Sequence, residues 1–105
     1  MTGEDLHRLI IGKWGQSFDV QIRKVQDRFF VQIMWRFLEQ ASFPLSEDEY
    51  MEQLGTVAGY INAWGCSEHV ATFIEKTTEK PRLGKAVNIP VELGARASEW
   101  FVGDR

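Results

Sequence analysis

A single cysteine in 105 residues excludes an internal disulfide and is the usage of a chain kept in a reducing compartment. Two histidines, His7 and His69, are too few to complete a structural zinc site with that one thiol. No window approaches the ~20 consecutive apolar residues of a membrane-spanning helix. The opening MTGEDLHRLI sets two acids before its first base, so no secretory signal is expected and the stretch makes a poor transit peptide. A basic excess is missing as well. Twelve bases against 15 acids leave a net charge of −3, which argues against a general nucleic-acid binder. The chain has no phosphate-binding Walker loop, zinc-protease motif or serine elbow.

What it does have is core-forming material. Hydrophobic residues make up 44% of the chain and aromatics 12%, with four tryptophans and seven phenylalanines, so a packed core is expected rather than disorder. With no repeat, low-complexity run or linker, residues 1–105 read as one domain. Charge is unevenly spread. Residues 80–85 hold three bases and no acid, which leaves 9 bases against 15 acids elsewhere.

The order of elements follows from periodicity and punctuation. Thr2 with Asp5 forms a short capping box, Leu6, Leu9, Ile10 and Trp14 follow helical spacing, and Gly15 supplies the stop. Residues 17–38 change to a two-residue period. A loop at Gln26-Asp27 sets Ile22 opposite Val31, Val20 opposite Ile33 and Phe18 opposite Trp35, all on one face. On the other face Phe30, Met34 and Leu38 interrupt Gln32 and Arg36. Cover by the C-terminal segment is the commoner outcome for such a patch, and a partner surface is the alternative.

Ser46 and Glu49 form a second capping box, with Leu45 placed to staple onto Tyr50. The helix they open buries Met51, Leu54, Val57, Ala58 and Ile61 and stops at Gly65. Gly55, Gly59 and Ala63 recur every four residues, so close approach to a neighbouring element is expected. Ser67 is expected to cap a shorter helix running to about Thr77. Val87, Ile89 and Val91 alternate, and Pro90 confines that strand to a sheet edge. Residues 95–101 read as a short helix or turn docking Trp100. The sum, αββαα followed by an extended edge segment, predicts a two-layer α+β domain with helices on one face of a small antiparallel sheet.

Several stretches carry a family resemblance: KWG at 13–15, FDVQIRKVQDRFFVQIMWRFLEQASFPLSEDEY at 18–50, INAWG at 61–65, KPRLGKAVNIPVELG at 80–94 and ASEW at 97–100. Together they resemble the small proteins of the domain of unknown function DUF3067, from cyanobacteria and plant chloroplasts. The resemblance implies a compact α+β domain in a cyanobacterial cytoplasm or chloroplast stroma. It brings no catalytic or ligand residues and no cofactor, and membership of a family does not define a reaction.

Among candidate residues, Cys66 and His69 stand beside a helix start, where a thiol can be activated and an imidazole can assist. The commoner meaning of that pair is a packed cysteine and a surface histidine. Glu47, Asp48 and Glu49 are explained by the helix dipole, and Asp19 with Arg36 or Arg23 by cross-strand charge pairing. KPRLGKAV is the remaining feature. Lys80, Arg82 and Lys85 could clamp a carboxylate or phosphate, Gly84 would admit a close backbone approach, and Pro81 would pre-set the loop. Hydrated cations beyond a helix end are the bland alternative. Three cations are fewer than the 4–8 usual for lipid anchoring, so no stable membrane anchoring is expected. The leading expectation is a non-enzymatic protein-interaction module, without metal or cofactor, using Lys80, Arg82, Gly84 and Lys85, with Phe30 and Met34 as a second partner surface. A small-anion or nucleotide-binding regulatory domain comes second and a thiol sensor or enzyme third.

Overall fold

The computed structural model describes residues 1–91. The expected docking of 95–101 and Trp100, and any cover of the sheet by the C-terminal segment, lie outside the described residues. In chain order the elements are α1 (Gly3–Trp14), β1 (Phe18–Val25), β2 (Arg28–Phe37), α2 (Glu47–Ala63), α3 (Ser67–Lys76) and β3 (Val87–Val91). The strands form one antiparallel sheet in the order β1-β2-β3. α1 packs on α2 and α3, and α2 lies against β1. This is the predicted α+β architecture.

The core forms where the two periods meet. Leu6 and Ile10 of α1, Leu54, Val57 and Ile61 of α2, and Val70 and Ile74 of α3 close over Val20, Val31, Ile33, Val87 and Ile89 of the sheet. Both expected capping boxes are present, Thr2 with Asp5 and Ser46 with Glu49. α2 also holds the outer edge of β1. Tyr50 Oη donates to the Phe18 carbonyl at 2.8 Å, and Gln53 Nε2 donates to the Val20 carbonyl at 2.7 Å.

Three local expectations change. The hairpin register holds at Ile22–Val31 and Val20–Ile33, but Phe18 pairs with Phe37 instead of Trp35. β2 spends two more residues than β1 across an irregularity at Asp19. An even slip keeps every side chain on its face, so the alternation predicts the faces but not the last pair. Ser67 does not cap α3. The chain leaves α2 through left-handed Gly65 (φ 68°), with Gly65 N–H on the Asn62 carbonyl and Cys66 N–H on the Ile61 carbonyl. These are the paired hydrogen bonds of a Schellman motif, and they make Cys66 the residue that precedes α3. Ser67 becomes the first helical residue and donates its hydroxyl to Asn62 Oδ1.

The glycine row also works differently. The close approach is at Gly3, where an added Cβ would lie 2.7 Å from the Gly55 nitrogen, so α1 and α2 touch backbone to backbone there. Gly59 meets nothing within 4 Å.

Candidate functional site

The last turn of α3 and the segment after it are both held by the end of α1. Lys13 Nζ donates to the Glu75 carbonyl at 3.0 Å, and Trp14 Nε1 donates to the Glu79 carbonyl at 3.1 Å. Pro81 is buried. The chain then reverses in two residues, with Arg82 N–H on the Lys85 carbonyl at 3.0 Å and Lys85 N–H on the Arg82 carbonyl at 2.7 Å. Gly84, at φ 80°, occupies the left-handed third position of a type II turn. Leu83 stands at the tip, 91% exposed. Gly84 thus closes the turn that carries Arg82 and Lys85.

Lys80, Arg82 and Lys85 line a single concavity of about 310 Å³, together with Thr78, Glu79, Ala86 and Val87. All three cations are exposed. Among the described residues the ion pairs are Arg8–Asp5 and Arg36–Asp19, so none of the three is ion-paired, and Glu79 is the one acid of the lining. Nothing in KTTEK announces the roles of Thr78 and Glu79, because the bond from Trp14 that pins this backbone comes from a distant part of the chain.

Cys66 and His69 are not brought together as a reactive pair. The thiol is 7% exposed and points to the Ile61 carbonyl at 3.5 Å. Burial pushes its pKa up, away from a thiolate. His69 Nε2 donates to the Pro90 carbonyl at 2.8 Å. The described residues contain no cluster of three or more His, Cys, Asp or Glu able to hold a metal ion. No helix among them is long and apolar enough to cross a membrane.

One polar cluster escaped the sequence reading. His7 Nε2 lies 2.8 Å from Ser17 Oγ, and Glu39 Oε1 accepts the Ser17 N–H at 2.8 Å. Burial alone would push Glu39 up, but hydrogen bonds from Ser17 outweigh it and hold the carboxyl below its usual range. Ser17 is 1% exposed, so its hydroxyl is closed to a substrate. The cluster joins α1 to the start of β1 and the chain beyond β2. Asp19 has a related role. Burial pushes its pKa up against the opposing pull of Arg36 at 3.8 Å and Gln53 at 2.7 Å, and it ties β1 to α2.

Phe30 and Met34 are half-buried on the sheet face turned away from the core. Phe30 pairs with Arg23 and Pro90, and Met34 Sδ lies 3.3 Å from Gln21 Nε2. Gln32 bridges Gln21 and Asn88 between them.

No match was found among curated proteins. The chain is similar to the Alr2454 protein of Nostoc sp. strain PCC 7120, known from a solution NMR structure, at 56% identity and a TM-score of 0.88 over 97% of this chain and 98% of that one. The family model for the domain of unknown function DUF3067 matches residues 4–101, and the chain belongs to that family.

Proposed function

We propose that the protein is a non-enzymatic interaction module whose basic concavity holds an acidic segment of a partner protein, in a cyanobacterial cytoplasm or, for plant relatives, the chloroplast stroma. The observation that carries this reading is the convergence of Lys80, Arg82 and Lys85 on one concavity with no described carboxylate paired to any of them. On a chain of net charge −3 such a spot orients an acidic partner, because the rest of the surface repels it. Exposed charge pairs contribute at most about 1 kcal/mol each, so the concavity alone gives a millimolar or weaker contact.

The test is an amide NMR titration with acetylated hexaglutamate, hexaglutamine and inorganic pyrophosphate. Hexaglutamate is expected to shift residues 78–87 and hexaglutamine to leave them unmoved. The hexaglutamate shifts should vanish in Arg82→Glu/Lys85→Glu. Silence with hexaglutamate overturns the reading. Shifts with pyrophosphate alone would establish the second reading, a small phosphorylated ligand, which the concavity's volume, at the low end of the ~300–1,000 Å³ of small-molecule sites, also accommodates.

A further inference from the structure

A second groove is lined by residues that immediately precede those of the basic concavity in the chain. It is about 330 Å³ and is lined by His69, Thr72, Phe73, Lys76 and Thr77. Its lining ends at Thr77 and that of the basic concavity begins at Thr78, so consecutive residues of the chain line the two. Its character is different. The half-buried Phe73 ring offers apolar surface, edge-on to His69 with centroids 6.4 Å apart, and Lys76 adds a cation toward the basic end.

Resting on the reading of the basic concavity given above, we infer that the partner segment is an extended acidic–apolar peptide. Its carboxylates lie over Lys80, Arg82 and Lys85, and a bulky apolar side chain seats against Phe73 in the adjoining groove. Charge complementarity places the acidic end, since the bases of the combined surface gather toward 76–85 and the apolar ring lies beyond them. The span sets the spacing. Phe73 to Thr77, the last residue before the basic concavity, advances about 6 Å at 1.5 Å per residue, which about two extended residues cover. The apolar side chain therefore falls two to three residues from the nearest carboxylate.

Addition of the peptide as a fourth strand on β3 is closed off at this end of the sheet. Pro90 has no N–H to offer, and its carbonyl is already taken by His69. The segment is held by side chains in a groove, with specificity set by its one apolar residue.

Four peptides test this on the full chain. Each has four glutamates and, two positions beyond either end, a Phe or an Ala. Affinity and amide shifts are read together. In one orientation the Phe peptide is expected to bind about tenfold or more tighter than its Ala counterpart. It should shift residues 69–77 in addition to 78–87, and Phe73→Ala should remove the gain. If Phe and Ala peptides bind alike and shift only 78–87, this inference is overturned while the acidic-segment reading stands. A Phe gain without shifts at 69–77, or one that survives in Phe73→Ala, also overturns it. The wild-type shift map decides the matter even if Phe73→Ala does not fold. If no peptide binds, the acidic-segment reading fails, and this inference with it.

Discussion

The two ends of α3 carry two of the candidate sites, and their polar side chains meet different fates. At the start, Cys66 and His69 are both committed to backbone carbonyls, the buried thiol to that of Ile61 and the exposed imidazole to that of Pro90. Past the end, Lys80, Arg82 and Lys85 have no partner of their own among the described residues and face one concavity. Each region turns on a left-handed glycine, Gly65 at φ 68° and Gly84 at φ 80°. What differs is the destination of the chain. After Gly65 it re-enters the core within a residue, whereas after Gly84 it stays at the surface until Val87. Polar side chains next to a helix terminus become structural or available according to what the next residues bury.

Four experiments bear on that contrast, from the largest effect to the smallest. The buried thiol of Cys66 should react with a disulfide reagent about a hundredfold or more slowly in the native protein than in denaturant, since labelling must wait for local opening. Native labelling at the unfolded rate would put Cys66 back among the reactive candidates. Next comes Arg82→Glu/Lys85→Glu, expected to weaken hexaglutamate binding by tenfold or more. Denaturant midpoints should correspond to a stability change within about 0.5 kcal/mol, because these exposed side chains make no described hydrogen bond.

The paired glycines sharpen the comparison further. Gly65→Ala and Gly84→Ala each place a Cβ on a left-handed residue and should each cost about 1 kcal/mol in urea unfolding. Only Gly84→Ala should also weaken hexaglutamate, because it disturbs the turn carrying Arg82 and Lys85.

The smallest effect concerns pH. Burial raises the folded-state pKa of Cys66 above that of the unfolded chain. Its contribution to stability is therefore complete below the unfolded thiol value of about 8.5 and is lost as pH rises toward the folded one. Wild type should lose stability above that pH more steeply than Cys66→Ala, measured as the difference in Tm between pH 7.5 and 9.5. Equal slopes would mean that the thiol is not desolvated.

The convergence of the basic residues was only half legible. KPRLGK shows its three cations and its glycine in the sequence, and the turn follows from Gly84. That Lys80 joins Arg82 and Lys85 depends on Trp14 and Lys13, more than sixty residues earlier, holding the Glu79 and Glu75 carbonyls. The adjoining groove was invisible for the same reason. Phe73 reads as one more inward residue of an amphipathic helix, and only the packed molecule shows that its ring is half-buried and lines a groove. The His7–Ser17–Glu39 cluster is likewise assembled by tertiary contacts, across separations of 10 and 22 residues.

By itself the sequence determined the elements and their faces. Period-two alternation, two capping boxes and the Gly15 and Gly65 stops are local signals, each set by a few neighbouring residues and confirmed where they were read. Only the tertiary structure decided which polar groups are used up. It slipped Phe18 onto Phe37, turned Cys66 into the core, bonded His69 to Pro90 and brought three cations, unpaired among the described residues, around one concavity. Hydrogen bonding and burial of a side chain depend on atoms far away in the chain, whereas a helix cap or a strand alternation does not.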